Sequence, residues 1–275
     1  MKGAARWFVN GILVLICLGG VAMILQQLQQ YRVAEETYDR AASIAFDGER
    51  AVSTVPSAVA SGESKPIPEQ TDEAPAEPLP EEALFLRNID VTALQMVNRD
   101  VMGWICVPGT EISYPLIHAR DRDTYLHTAW DGTANKSGSI FLEQNNRSDL
   151  TDFNTIIYGH LMSNSSMFGS LKEYRTQEYR DAHSRIYLVR GGMIYCYEVF
   201  SAYEAPTDSD AYRLTFKEDG KKQAALTYYL ENAPWESGLT PGTEDRILTL
   251  STCTGTGLYH SRWVVQAVLT GQWQK

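Results

Sequence analysis

Two residues near the C-terminus combine a nucleophile with a permanent positive charge. Cys253 ends an apolar, β-branched run, residues 247–253, which is typical of a strand, and Arg262 opens a second such run after a loop of Gly and Thr. A neighbouring cation lowers the pKa of a thiol and so favours the thiolate, which is the form that attacks carbonyl groups. We therefore predict that Cys253 is a nucleophile in an electropositive, partly exposed site.

A histidine ends another predicted strand. Residues 154–160 read Asn-Thr-Ile-Ile-Tyr-Gly-His, so His160 stands at a strand end as Cys253 does. If both strand ends meet at one rim, the imidazole can exchange protons with the thiol, because its ordinary pKa of ~6.5 suits both donation and acceptance. No two histidines have the spacing of a metal-binding helix, so we predict no metal and no cofactor.

Composition narrows the class of protein. The 275 residues allow one or two domains, and a content of 44% hydrophobic and 21% charged residues is typical of a globular chain. The formal net charge of -10 argues against nucleic-acid binding, since phosphate contacts need clustered Lys and Arg.

The remaining cysteines indicate little redox or metal chemistry. The chain has four cysteines and no C-x-x-C pair, so a cysteine zinc site or a thioredoxin-type motif is not expected. Cys17 lies in an apolar run, whereas Cys106 and Cys196 lie within strand-like runs. Two interpretations of Cys106 and Cys196 stay open: buried small hydrophobic residues, or a disulfide between them.

The N-terminus resembles a membrane anchor. Residues 7–25 carry no charge and are about long enough to span ~30 Å of hydrocarbon as a helix. Lys2 and Arg6 precede the run, so the positive-inside rule places residues 1–6 in the cytoplasm and the remainder outside the cell membrane. A cleaved signal peptide is the alternative, but the run is long for one and no clear cleavage site closes it.

Composition changes again before the folded part. Residues 26–46 are polar and rich in Ala, Glu and Gln, and they can continue a helix; residues 48–82 are rich in Pro, Ser, Ala and Glu, which predicts an extended, mobile tether. We therefore interpret residues 26–83 as an extracytoplasmic stalk and linker, and residues 84–275 as the catalytic domain.

Short strands dominate this predicted domain. Eight strand-like runs, most of them separated by turn signals, predict a closed or nearly closed β-barrel; they lie at residues 103–107, 112–116, 139–142, 155–158, 185–190, 193–205, 246–251 and 263–272. Helical patterns cover residues 91–98, with Asp90 as the cap, 167–174 and 217–232.

These motifs together resemble the sortase family, the membrane-anchored cysteine transpeptidases of Gram-positive bacteria. Thr-Leu-Ser-Thr-Cys at residues 249–253 is similar to the family's TLxTC box, Arg262 to its arginine at the start of the last strand, and residues 156–160 to its histidine box. Five further segments resemble class B in particular: 103–110, 112–115, 123–126, 138–141 and 167–171. The long helical pattern before the TLxTC box does so too.

The resemblance implies an eight-stranded sortase barrel, with an N-terminal helix and a long helix between strands 6 and 7, and a transpeptidation. It implies that Cys253 attacks a threonine carbonyl in a C-terminal sorting motif of a secreted protein and forms a thioacyl enzyme. An amine from a peptidoglycan cross-bridge or a pilin lysine then resolves it, as in cell-wall anchoring or pilus assembly. We expect His160 to act as general acid and base, and Arg262 to stabilise the oxyanion or hold the substrate backbone.

Four further residues are expected to contact substrate. Ser251 and Tyr158 each precede a predicted catalytic residue by two positions, so strand alternation directs them to the same face. Resemblance to class B adds Leu126 and Tyr212.

Two other functions stay open from the residues. One is another extracytoplasmic Cys-His enzyme, such as an L,D-transpeptidase or an NlpC/P60-type peptidase, although the order and spacing of His160, Cys253 and Arg262 fit neither. The other is a non-catalytic binding domain tethered to the cell surface.

Overall fold

The computed structural model describes residues 2–46, 78–118, 121, 123–253 and 260–275. Most of the predicted tether, residues 48–82, lies outside this described part. These described residues contain four α-helices: α1 (Lys2–Ala45), α2 (Val91–Val97), α3 (Gln177–Ala182) and α4 (Asp219–Glu231). Eight strands form the sheet: β1 (Val101–Cys106), β2 (Ser113–Ile117), β3 (Ile140–Leu142), β4 (Asn154–Gly159), β5 (Arg185–Arg190), β6 (Met193–Pro206), β7 (Ile247–Cys253) and β8 (Ser261–Gln274).

The eight strands close into a barrel in the order β1-β2-β3-β4-β7-β8-β6-β5, which confirms the predicted fold. Two pairs run parallel, β2 with β3 and β4 with β7, and the other pairs are antiparallel. The parallel pairing of β4 with β7 matters for the site, because it brings the C-terminal ends of these two strands to the same rim.

The strands alternate between the barrel interior and the outer surface. Ile157, Leu250 and Val265 are fully buried and belong to one interior cluster. Their neighbours along the strands, Tyr158 and Ser251, lie on the opposite face, since successive side chains of a strand point to opposite sides. The outer face of β4 and β7 therefore carries polar groups above an apolar core.

Short helices cover the outside of the barrel. The predicted cap of α2 is confirmed, because the Asp90 side chain accepts a hydrogen bond of 2.9 Å from the amide of Ala93. The helix α4 lies between β6 and β7 as predicted, and it buries Leu226 and Tyr229 against the sheet.

Two helical segments differ from the prediction. The pattern at 167–174 forms a 3₁₀ helix over Gly169–Arg175 rather than an α-helix. The helix α3 was missed, because its six residues are too few for a periodic pattern to be read from the sequence. Its start is a capping signal that the sequence does contain: the Thr176 side chain accepts from the amide of Tyr179.

The end of α1 packs on the barrel, although the sequence suggested a stalk there. Ala41 and Ala45 are fully buried, and the ring of Tyr38 meets that of Tyr114 edge-on at 5.1 Å between centroids. Ala83, just before the predicted boundary at residue 84, is fully buried in the same cluster as the two alanines. The packed structure therefore begins earlier in the chain, because small alanine side chains let a polar helix approach the sheet closely.

The N-terminal part of α1 continues as helix through residues 7–25. Several of its apolar side chains are exposed, including Leu15, Ile16 and Leu18. Within the described residues, no helix is both long enough and apolar enough to pass through a membrane.

Candidate active site

Three adjacent strands bring the predicted catalytic positions to one row. In the parallel ladder between β4 and β7, Tyr158 pairs with Ser251 and Gly159 pairs with Thr252, so His160 follows directly at the level of position 253. In the antiparallel ladder between β7 and β8, Cys253 pairs with Arg262. The side chain of Cys253 lies outside the described part of the structure, but its backbone ends β7 between the other two positions.

The His160 ring is half-buried and held by one backbone group. One ring nitrogen is hydrogen-bonded to the backbone of Leu126. The other, Nε2, is buried and has no hydrogen-bond partner among the described side chains. A backbone group that raises the pKa of an imidazole is a carbonyl acceptor, so we assign Nδ1–H as the donor to Leu126, which leaves Nε2 free to exchange a proton.

Burial lowers the pKa of His160 below its ordinary value of 6.5, because the charged imidazolium loses hydration. Two nearby groups act in the same direction: the ring of His127, whose centroid lies 6.3 Å away, and the positive charge of Arg262. The bond to Leu126 acts in the opposite direction but does not cancel the effect of burial. At neutral pH the imidazole is therefore mostly uncharged.

Close packing determines how the chain reaches His160. A Cβ at Gly159 would lie 2.5 Å from the Cδ1 of Ile140 and 2.7 Å from the ring of Phe168, so no larger residue fits there. The amide of Phe168 in turn donates a 3.0 Å hydrogen bond to the carbonyl of His160. The histidine backbone is thus fixed by the sheet on one side and by an aromatic ring on the other.

The loop that carries Leu126 is equally constrained. Gly138 has a φ of +56°, and a Cβ there would lie 2.6 Å from the carbonyl oxygen of Leu126. The Leu126 side chain is half-buried and packs against the outer apolar cluster. The predicted contact of Leu126 with substrate stays a prediction; in the structure its backbone is the partner of the His160 ring.

Arg262 lies near the start of β8 and is half-buried. Its Cα is in register with Cys253 on β7 and with Ala205 on β6, so the Arg262 side chain begins on a strand that lies between β7 and β6. Its charge is close enough to depress the pKa of His160. An always-charged side chain in this place can bind a carbonyl oxygen or an oxyanion, but it cannot serve as a base.

Two of the predicted substrate residues touch each other. The hydroxyls of Tyr212 and Ser251 lie 2.8 Å apart, so the loop before α4 meets the outer face of β7 at this point. Tyr158, in register with Ser251, donates a hydrogen bond of 3.0 Å to the buried carboxylate of Glu143. The side chains of Tyr158, Ser251 and Tyr212 together form a polar surface, which we call the polar floor. Tyr158 and Ser251 precede His160 and Cys253 by two residues.

Sequence reasoning missed the residue that holds this floor in place. The Asn154 amide donates to the carbonyls of Ala211 and Arg213, at 3.0 and 3.1 Å, and so fixes the backbone on both sides of Tyr212. Its side-chain oxygen accepts from the hydroxyl of Thr249 at 2.7 Å. A buried asparagine at the start of a strand, on the polar face, was the available signal.

The other cysteines of the barrel are structural. Cys106 and Cys196 are both buried and both free, so the possible disulfide between them is absent. Burial raises the pKa of the Cys106 thiol to about 12 and also raises that of Cys196. Neither is a nucleophile at physiological pH, which leaves Cys253 as the candidate within the barrel.

Comparison with known proteins identifies the family. A family profile described as "Sortase domain" matches residues 105–270. The chain belongs to the sortase family. Its similarity to sortase B of Listeria monocytogenes is 35% identity over 177 residues, which cover 64% of this chain and 72% of the relative. Sortase B of Staphylococcus aureus is 32% identical over 161 residues, which cover 58% and 66% of the two chains.

Solved sortase structures share the barrel. The Staphylococcus aureus sortase B-substrate complex matches with a TM-score of 0.62 at 30% identity, and the match covers 66% of this chain and 84% of that one. A Bacillus anthracis protein similar to sortase B matches with a TM-score of 0.60 at 35% identity, over 66% and 83%. These relatives support class B and a cysteine transpeptidase, which excludes the L,D-transpeptidase and NlpC/P60 alternatives.

Proposed function

We propose that this sortase cleaves a C-terminal sorting motif of secreted proteins after a threonine and transfers the acyl part to an amine. The observation that carries the proposal is the register row of His160, Cys253 and Arg262 on three adjacent strands. In support, one relative is a sortase B-substrate complex and another a sortase B complexed with Gly3, a peptide with a free amine. A peptidoglycan cross-bridge amine or a pilin lysine has the same chemistry.

The reaction divides into acylation and resolution. The Cys253 thiolate attacks the threonine carbonyl carbon, and the resulting oxyanion is stabilised by the guanidinium of Arg262. The C–N bond then breaks, and protonated His160 gives its Nε2 proton to the departing amide nitrogen. In the second step the amine attacks the thioester, the neutral imidazole takes the amine's proton, and the thiolate leaves.

The resting state of the Cys–His pair follows from the burial of His160. Because the pKa of its imidazole is lowered by loss of hydration, the neutral thiol–imidazole form predominates, and the reactive ion pair is a minor fraction at neutral pH. The two groups titrate jointly, so the pair has macroscopic pKa values rather than one value for each residue.

The site works at the outer surface of the cell in this proposal. The exposed apolar side chains of α1, such as Leu15 and Ile16, would be covered by lipid, with Lys2 and Arg6 on the cytoplasmic side. Residues 7–25 would then be a single-pass anchor, and the barrel would meet secreted proteins after export. Protease treatment of intact cells is expected to digest the barrel and to leave a short membrane-bound fragment.

Trapping of the acyl enzyme tests the catalytic proposal. The full-length protein is incubated with a peptide library in which one threonine is fixed, with and without triglycine, and the products are analysed by mass spectrometry. We expect a thioester on Cys253 and, with triglycine, a peptide joined to it through threonine. Cys253→Ala is expected to give neither product, with an unchanged unfolding midpoint because the residue lies at a rim.

Cys196→Ala is the matched control, since it removes a buried thiol elsewhere in the barrel and is expected to retain the adduct. An acyl adduct on any residue other than Cys253 contradicts the proposal. So does cleavage by the wild type that persists in Cys253→Ala.

A further inference from the structure

The helix α1 contacts the loops on both sides of His160. The hydroxyl of Tyr31 lies 2.8 Å from that of Ser163, which is in the loop following the histidine. One to two turns further along α1, the hydroxyl of Tyr38 donates to the carbonyl of Gly138, in the loop that faces the histidine ring. The helix is therefore not only an anchor or spacer, because it is bonded to the segments that surround the imidazole.

A short chain of contacts connects Tyr38 with the imidazole. Tyr38 binds the Gly138 carbonyl, and Gly138 packs so tightly on Leu126 that a Cβ would lie 2.6 Å from the Leu126 oxygen. That oxygen accepts the ring N–H of His160. A movement of Gly138 thus displaces the acceptor that fixes the tautomer and the orientation of the ring.

The ring of Tyr38 also reaches the loop after His160 through Tyr114. The two rings meet edge-on at 5.1 Å, and the Tyr114 hydroxyl accepts from the amide of Met167 at 3.0 Å. Residues Leu161 and Met167 pair as an isolated bridge, so this bond closes the loop that begins at His160. The ring of Tyr38 therefore packs against Tyr114, which in turn holds the loop that follows His160.

We infer that Tyr38 is a positioning residue for His160, so that docking of α1 on the barrel sets the orientation of the catalytic imidazole. The inference rests on the proposed role of His160 as general acid and base. It gives the membrane-proximal helix a part in catalysis: an enzyme whose α1 is undocked retains its fold and its nucleophile but has a less well oriented proton donor.

The groups that determine the titration of His160 are few. The facing loop contributes both the Leu126 carbonyl and the ring of His127, and β8 contributes the charge of Arg262. Cys253 ends the adjacent strand β7. Of these, only the Leu126 carbonyl depends on Tyr38, so a change at Tyr38 alters one hydrogen bond and leaves the charges in place.

The test is Tyr38→Phe in the full-length protein, which removes only the hydroxyl. The readouts are the ¹⁵N signals of the His160 ring as a function of pH, assigned with His160→Gln, together with kcat and KM on a cleaved peptide. Loss of the bond to Leu126 is expected to lower the pKa of His160 further and to reduce the share of the Nδ1–H tautomer. We expect kcat to fall about tenfold, within the ~100-fold that a small misplacement can cost, and KM to stay within about twofold.

Arg40→Gln is the matched control. Arg40 lies two residues further along α1, and its exposed guanidinium bonds to Asp131 at 3.3 Å, so its loss removes a surface contact of the same helix while Tyr38 keeps α1 docked on Gly138. The control is expected to titrate like the wild type. If Tyr38→Phe folds and its His160 signals and pH profile equal those of the wild type, the inference is overturned.

The proposed function and the positioning role of Tyr38 can be contradicted separately. A wild-type protein that forms no acyl enzyme, although Tyr38→Phe shifts the His160 titration as expected, contradicts the proposed function and leaves the positioning intact. An active wild type with an unshifted His160 in Tyr38→Phe contradicts the positioning alone.

Discussion

The two faces of β7 perform different tasks on one strand. Leu248 and Leu250 are fully buried in the barrel interior, where they belong to the main apolar cluster. Between and after them, Thr249 and Ser251 are equally buried but bond to Asn154 and Tyr212 on the outer face. Burial alone therefore does not distinguish a core residue from a site residue. The residues on the inner face of β7 stabilise the fold, and those on its outer face place loops beside the catalytic row.

Arg262→Lys is expected to produce the largest effect on the catalytic side. A single ammonium does not reproduce the planar fork of a guanidinium, and loss of an oxyanion donor typically costs ~100- to 1,000-fold in kcat. Steady-state kinetics measure the change, and circular dichroism is expected to show an unaltered fold. Arg147→Lys, at an exposed ion pair with Asp149, is the control with no expected loss. Near wild-type turnover in Arg262→Lys refutes the oxyanion role.

Leu248→Ala tests the inner face. Removal of a fully buried leucine leaves a cavity and is expected to lower the free energy of unfolding by about 2–5 kcal/mol. Denaturant titration measures this loss, while kcat of the folded protein is expected to stay within about twofold. A large fall in kcat without a loss of stability contradicts the division between the two faces.

Tyr212→Phe tests the outer face more gently. The substitution removes the hydroxyl that lies 2.8 Å from that of Ser251, and one such bond contributes about 0.5–1.5 kcal/mol. We expect KM to rise about twofold to tenfold with little change in kcat, because we predict that the floor contacts substrate at a distance from the reacting atoms. Tyr174→Phe, which removes a hydroxyl bonded to the carbonyl of His183 at 2.6 Å, is the comparison for the loss of one such bond outside the floor.

The pH dependence of kcat/KM tests the catalytic row in the wild-type protein, without any substitution. Burial lowers the pKa of His160, so the acid limb of kcat/KM is expected at a pH below 6.5, and thiol ionisation contributes a second limb. Because the pKa is lowered, we expect activity to persist in mild acid. It is lost when the pH is low enough to protonate the neutral imidazole of the resting free enzyme. A profile with one apparent pKa contradicts the two-group scheme.

The strands and their chemical ends are predictable from sequence, and the structure explains why. One β-branched run ends at Cys253, and another ends at Gly159 and His160. Each run predicts a strand, and the residue at its end predicts the chemical group at that place. The barrel follows from eight such runs, and its closure is confirmed. Register was not predictable, yet the row depends on it, because a shift of one residue between β4 and β7 would direct the two groups to opposite faces.

Contacts made by the backbone and by small residues could not be predicted from the sequence. Leu126 acts on His160 through a carbonyl that every residue type possesses, so no pattern marks it. The docking of α1 depends on Ala41 and Ala45, whose small side chains read as neutral in a polar helix. Tertiary packing, and not local propensity, decides both cases.

Iodoacetamide labelling with peptide mapping shows directly whether Cys253 is the reactive thiol of the barrel. Cys106 and Cys196 are buried thiols whose pKa values are raised by burial, and Cys17 is exposed, so a Cys17→Ala background isolates the barrel. We expect Cys253 to be alkylated at least tenfold faster than Cys106 and Cys196, and turnover to be lost in step with its modification. Labelling of Cys253 as slow as that of the two buried cysteines, or full turnover after its modification, would show that Cys253 is not the nucleophile.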